Sequence, residues 1–331
     1  MVTMFTKNRK CVVTLTVLAL SLAAAVPAAQ ADLIAYWNAD QGTGTSLTDQ
    51  TSNHINGTLS GAGWSTSGRF GNALSTGSIS VDLTANALLP SSTSDFTYSL
   101  WFKGTTSDSW RWLISQNPGY GPNILFITTQ DKVRVAIGTW FADAFNNQVT
   151  TFSDTIWYQL TVTREGTTVK AYVNGALDAS GTSSGNGGNI GSHLYLSKGP
   201  VNQHFNGLMD DIAVFNTSLS SGQSRAIYNL ANEAGLNYNF GEVKKLFGLT
   251  SAGQNTTTSD GKNWYYVTGL TGAEGAVQTL PGGNYAVNFG SGNGVSTIIL
   301  EPGDIPEPAT MALLGLAAAG LGGYLRRRRT A

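Results

Sequence analysis

The chain is poor in the residues that most often carry out chemistry. It has one cysteine, Cys11, and three histidines, His54, His193 and His204. Cys11 falls in a segment that is expected to be removed, so disulfides, thiolate metal sites and a cysteine nucleophile are all excluded. No His-x-x-x-His spacing occurs, which leaves no ligand set for zinc. Between Asp32 and Leu230 there is a single glutamate, Glu165. The only adjacent carboxylates, Asp210 and Asp211, are neighbours on a predicted strand, where side chains alternate between faces. They are therefore not expected to flank a glycosidic bond as a catalytic pair. No Gly-x-Ser-x-Gly elbow is present, and the Gly185–Asn189 tract lacks the Gly-Lys-Ser/Thr and helix of a phosphate loop. Residues 32–308 hold twelve basic against twenty acidic residues, a formal net charge of −8, with no basic patch. Nucleic acid is not an expected partner. No catalytic residue is assigned, and the chain is read as not an enzyme.

The ends are rich in signals. Lys7, Arg9 and Lys10 precede an apolar run from Val12 to Val26, then Ala29-Gln30-Ala31. This is the pattern of a signal peptide over residues 1–31, with the mature chain starting at Asp32. At the other end Pro306-Glu307-Pro308 leads into Ala309–Leu325, which carries no charge, and then into Arg326, Arg327, Arg328 and Arg329. As a helix, residues 309–325 reach roughly 25 Å, just short of a bilayer's hydrocarbon core. The four arginines favour the cytoplasmic side, so everything before them is exported. An ordinary single-pass anchor fits these facts.

Between the ends, thirty-six of the forty glycines, with abundant Ser, Thr and Asn, punctuate short alternating segments, the pattern of an all-β sandwich. Phe96, Tyr98, Leu100 and Phe102 alternate with polar positions, a strand with one apolar face. Trp157–Arg164 and Thr168–Val173 repeat the pattern, and Asn174-Gly175 marks a type I′ hairpin into Ala176-Leu177. Ile124–Thr128, Lys132–Gly138, His193–Ser197 and Phe205–Phe215 read as further strands. Ser220–Leu230 reads as a short amphipathic helix with Ile227 and Leu230 on its apolar side. Residues 233–305 differ in texture: a helix over Gly241–Phe247 and strands over Trp264–Val267, Tyr285–Phe289 and Ser296–Leu300 suggest a small β module or a stalk. Flat aromatic rings stack on sugars. Trp110, Trp112, Tyr120 and Trp140, in or beside loops, are the candidate carbohydrate-binding residues, with packing under long loops as the alternative. Trp37, Trp64, Trp101 and Trp157 are assigned to the core.

Two resemblances follow from these residues. The Pro-Glu-Pro, apolar and arginine-rich tail over residues 306–331 resembles the PEP-CTERM sorting signal of Gram-negative bacteria. That resemblance implies recognition by an exosortase at the inner membrane, a transient anchor, cleavage near Pro306–Pro308, and delivery to the cell surface or extracellular matrix. Residues 32–232 resemble the LamG-like members of the concanavalin A-like lectin/glucanase superfamily. The matching motifs are Leu33–Trp37 with Gly42–Gly44, the Asp49–Leu59 loop, Phe70–Leu74, Asp95–Trp101, Val173–Gly175 and Phe205–Asp211. This implies a jelly roll of two antiparallel sheets whose loops bind an extracellular polysaccharide or a matrix protein. Laminarinase-type members carry a Glu-x-Asp-x-x-Glu strand, which this chain lacks. A glycoside hydrolase and a purely structural surface protein are the alternatives. The resemblance also implies a structural Ca2+ held by Asp210, Asp211, Asp49 and Asn56, with Asp40 as a further contributor. Carboxylates that hydrogen-bond backbone amides at sheet corners are the competing reading.

Overall fold

A computed structural model describes residues 32–297 apart from 62, 78, 84–85, 87, 105–109, 117–122, 128–129, 138–144, 146, 184–193 and 200–202. The signal peptide expected over residues 1–31 and the sorting tail, including Pro306, Glu307, Pro308, Arg326, Arg327, Arg328 and Arg329, lie outside the described residues. So does the membrane helix expected at 309–325, and among the described residues no helix is long and apolar enough to cross a membrane.

The first part of the chain forms β1 (Leu33–Trp37), β2 (Ser46–Leu47), β3 (Gly57–Leu59), β4 (Trp64–Ser65), β5 (Ala73–Ser75), β6 (Val81–Leu83), β7 (Phe96–Gly104) and β8 (Arg111–Gln116). There follow β9 (Asn123–Ile127), β10 (Val133–Ile137), β11 (Tyr158–Glu165), β12 (Thr168–Val173), β13 (Ala176–Thr182), β14 (Leu194–Leu196) and β15 (Gly207–Phe215). Helices α1 (Ser221–Asn232) and α2 (Phe240–Phe247) come next. The described chain ends with β16 (Asn255–Thr257), β17 (Asn263–Val267), β18 (Val277–Leu280), β19 (Asn284–Gly290) and β20 (Asn293–Thr297).

These strands build two facing antiparallel sheets. One runs β13-β12-β11-β7-β15-β5-β4 with β1 also paired to β15, and the other runs β10-β9-β8-β14-β6-β3-β2. Strand alternation sends Leu100, Phe102, Leu160 and Val162 of the first sheet against Leu113, Val135, Leu194 and Leu196 of the second, and these form one buried core. The mainly-β sandwich expected from the sequence is the fold observed.

The opposite face of β7 is covered as well. Thr97, Ser99 and Trp101 are buried, and Trp101 stacks on Tyr228 of α1 with ring centroids 5.9 Å apart. A second core lies on this outer side. It joins Tyr36, Ala213 and Phe215 of the eight-stranded sheet to Ile227 and Leu230 of α1, Phe240, Val243 and Leu246 of α2, and Trp264, Val287 and Val295 of the C-terminal strands. Those strands form a third sheet, β16-β17-β20-β19-β18. β16 and β18 escape a reading by pattern because Asn255-Thr256-Thr257 is polar throughout and Val277–Leu280 spans only four residues.

Local interactions fix the start of α1 and the β12–β13 turn. Ser220 caps α1 in a capping box with Gln223. Asn174 and Gly175 both adopt positive φ, 49° and 73°, as a type I′ turn between β12 and β13 demands. At Gly175 an added Cβ would also stand 3.2 Å from the α1 backbone at Arg225. Gly175→Ala is therefore expected to lower stability by about 1–2 kcal/mol, seen as an earlier midpoint in urea unfolding. An unchanged midpoint would show that the turn relaxes freely.

Candidate functional site

The outer face of the seven-stranded sheet is one candidate surface. Pairing places Ser46 opposite Thr58, Thr58 opposite Asp82, Asp82 opposite Tyr195, and Tyr195 opposite Ser115, a single row across five strands. Their neighbours Leu47, Leu59, Val81, Leu83, Leu194 and Leu196 point into the core, so the row faces outward. Thr58 and Asp82 are exposed and Tyr195 is half-buried. The Lys198 ammonium lies 4.1 Å from the centre of the Tyr195 ring. Burial, and secondarily the Asp82 carboxylate, push the Tyr195 hydroxyl pKa up. The Ser115 hydroxyl donates to the Lys198 carbonyl at 2.6 Å, fixing the segment that carries the lysine.

The expected platform residues fare unequally. A register shift between Trp112 and Ile114 lets Leu113 and Ile114 both enter the core while Trp112 turns outward. Trp112 is nevertheless only 2% exposed. Its indole N–H donates to the Gln203 side chain at 2.8 Å, and Gly199 crosses the ring so closely that a Cβ there would stand 2.0 Å from it. Trp112 is thus flooring beneath a loop instead of an open platform. Trp110 is half-buried against it, with the Arg134 guanidinium 5.3 Å from its ring centre. Tyr120 and Trp140 lie outside the described residues. Tyr195, Asp82 and Lys198 were not singled out from sequence. The available signal was an aromatic at the outward position of the Leu194-Tyr195-Leu196 alternation.

The second cluster lies on the other sheet and corrects the expected placement of Asp210 and Asp211. The register of β15 against β7 shifts between Asp210 and Ala213, and Asp211 has φ 53°. Met209 and Ile212 both point into the sandwich core. This bulge puts both aspartates on the same outer face. Asp210 Oδ2 accepts the backbone N–H groups of Arg69 and Phe70 at 2.8 and 2.9 Å, and its Oδ1 is buried without a hydrogen bond. Asp211 accepts the Tyr36 hydroxyl on Oδ1 and the Phe240 N–H on Oδ2, each at 2.5 Å. Burial, then the neighbouring Asp211 carboxylate, push Asp210 up to about 8. Burial pushes Asp211 up to about 7 against the opposing pull of its two donors.

Asp49 is held in the same manner. Its Oδ1 accepts the N–H groups of Tyr36 and Thr51, and its Oδ2 accepts the Ile55 N–H and the Thr51 hydroxyl, all between 2.8 and 3.0 Å. Asn56 Oδ1 accepts the Asp49 N–H at 2.9 Å. Asp40 accepts from the Asn72 N–H at 3.1 Å and from the Asn38 amide at 2.9 Å. Calcium takes six to eight oxygens with lone pairs turned toward it. Of the carboxylate and amide oxygens on Asp49, Asn56, Asp210 and Asp211, all but Asp210 Oδ1 already face a donor hydrogen. Among the described residues no group of three or more His, Cys, Asp or Glu is arranged to hold a metal ion. The four residues do not fit a calcium site in this arrangement.

Comparison with known proteins agrees with the architecture. Residues 75–223 match the family model described as the concanavalin A-like lectin/glucanases superfamily, and residues 304–329 match the PEP-CTERM protein-sorting motif. The chain thus carries a concanavalin A-like domain and a motif for export and membrane-anchored sorting to the Gram-negative cell surface, which implies processing by an exosortase. No curated protein matches the chain. Among solved structures it is similar to domain 4 of AbnA, an extracellular arabinanase from Geobacillus stearothermophilus, in complex with arabinotriose. The identity is 19%, covering 59% of this chain and 98% of that one, with a TM-score of 0.48. The binding domain of botulinum neurotoxin DC in complex with SialylT is 16% identical over 60% of this chain and 51% of that one, with a TM-score of 0.46. A Trypanosoma rangeli sialidase is 15% identical over 59% of this chain and 32% of that one, with a TM-score of 0.46.

The buried aspartate pair has a consequence for pH. Both carboxyls hold protons in the folded state to a higher pH than the ordinary value near 4. The folded chain therefore binds more protons than the unfolded chain between about pH 4 and about pH 8. The stability this confers is complete below about pH 4 and is lost as pH rises through about 7 to 8. Asp210→Asn, which keeps an acceptor and loses the charge, is expected to flatten this fall. The check is the thermal midpoint of both proteins from about pH 5 to about pH 9. Parallel curves would show that the pair does not titrate there.

Proposed function

We propose that this exported surface protein is a non-catalytic carbohydrate-binding protein of the extracellular polysaccharide layer. The observation that carries the reading is the outward row on the seven-stranded sheet, where the Tyr195 ring lies between the exposed Asp82 and Thr58 on one side and Lys198 over its face. A flat ring supplies apolar stacking area, and a carboxylate, a hydroxyl and an ammonium beside it supply the acceptors and donors that fix a sugar's orientation. The net charge of −8 over residues 32–308 and the exposed Asp82 favour neutral sugars over polyanions.

Two facts support the absence of catalysis. Glu165, the lone glutamate of the sandwich, is exposed at the end of β11 where the chain turns into β12. Asp210 and Asp211 do share a face, but they are 0% and 2% exposed beneath the helices. No substrate oxygen reaches them there, so they cannot act as the flanking acid and nucleophile of a glycosidase.

The mature protein, purified from producing cells, should retain a neutral glycan on an array without cleaving it. Tyr195→Ala should weaken that retention about ten-fold, the loss of roughly 1.4 kcal/mol. Release of free sugar would sink the non-catalytic reading. Failure to retain any glycan would favour a matrix-protein partner or a structural role.

A further inference from the structure

Residues 233–297 leave the sandwich at the end of α1, and the question is what holds them to it. Three sets of contacts do so. The first is the second core, in which Tyr36 packs on Phe240 with ring centroids 5.3 Å apart and Phe215 packs on Phe240 at 5.6 Å. The second lies along α1. The Ser220 hydroxyl donates to the Phe289 carbonyl at 2.8 Å, the Arg225 guanidinium to the Glu274 carbonyl at 2.9 Å, and the Asn229 amide to the Gly275 carbonyl at 2.6 Å. Gly222 permits this approach, because a Cβ there would stand 2.4 Å from the Phe289 carbonyl oxygen.

The third set is polar and buried. Phe240 and Gly241 open α2, and their N–H groups have no partner within the helix. Phe240 donates to Asp211, and Gly241 donates to the Tyr36 hydroxyl at 3.1 Å, which itself donates to Asp211. Asp49 holds the Tyr36 backbone from the other side. The charged and titratable groups facing this cluster are Asp40 after β1, Arg69 before β5, Tyr228 on α1 and Lys244 on α2. The Arg69 guanidinium donates to the Ala231 carbonyl at 2.7 Å and thereby ties the end of α1 to the same loop whose backbone binds Asp210.

We propose that Tyr36, Asp49, Asp210 and Asp211 form a hydrogen-bonded latch, working without calcium, that docks α2 and the five-stranded sheet onto the sandwich. Asp211 binds the N-terminus of α2, Asp210 Oδ2 binds the Arg69–Phe70 turn and Asp49 holds the Tyr36 backbone, where an ion would otherwise be expected. The C-terminal sheet is then a docked part of the same body.

Amide hydrogen exchange on the full chain in detergent tests this. Tyr36→Phe and Asp211→Asn are each expected to speed exchange at Phe240, Gly241 and β17 at least ten-fold and to leave Leu100 in β7 unchanged. Unaltered exchange at α2 in both variants would overturn the latch. The unaltered protein should melt at the same temperature in calcium and in chelator. A calcium-dependent rise that Asp210→Asn abolishes would overturn the ion-free reading. If a variant fails to fold, exchange of the unaltered protein in low urea replaces it. A shared urea dependence for α2 and β17 supports docking as one unit, and separate openings overturn it.

Discussion

One extra residue in β15 shapes much of this molecule. β15 pairs with β7, β5 and β1, so a bulge there cannot be absorbed at an edge. It turns two consecutive carboxylates to the same buried face. A carboxylate without water must be given donors or a proton. The donors come from three segments distant in sequence: β1 through Tyr36, the Arg69–Phe70 turn, and the first residues of α2. The constraint that these carboxylates be satisfied therefore also fixes where the helices and the C-terminal sheet sit.

The two outer faces of the sandwich consequently do different work. The face of the eight-stranded sheet is closed by α1, α2 and a continuous apolar core. Its acidic residues are spent on structure. The face of the seven-stranded sheet keeps Thr58 and Asp82 in solvent beside Tyr195, and part of it around Trp112 is roofed by the segment holding Gly199 and Gln203. A surface protein sorted by its C-terminal motif thus has one sheet face covered by its own helices and C-terminal sheet and one that keeps polar side chains in solvent.

Local rules explain what was legible beforehand. Period-two alternation in Phe96–Phe102, the Asn174-Gly175 turn, and the short helix α1 depend on neighbours within a few residues, and each is found where the pattern placed it. The placement of Asp210 and Asp211 was not legible, because alternation holds only while the register is unbroken, and the bulge answers to β7 and not to the local sequence. Which of the two readings of Trp112, open ring or packing under a loop, applies was undecided in the sequence for a similar reason. Its cover, Gly199 and Gln203, is about ninety residues away along the chain.

The amino-acid sequence by itself determined that this is an exported, mainly-β sandwich with a sorting tail, since each of those properties rests on composition or on spacing within a short window. Only the tertiary structure decided which carboxylates are buried, which aromatics meet solvent, and whether residues 233–297 hang free or are docked. Burial and hydrogen-bond partnership are properties of residues brought together across long separations, such as Tyr36 with Asp211 and Gly241. No short stretch of sequence contains that information.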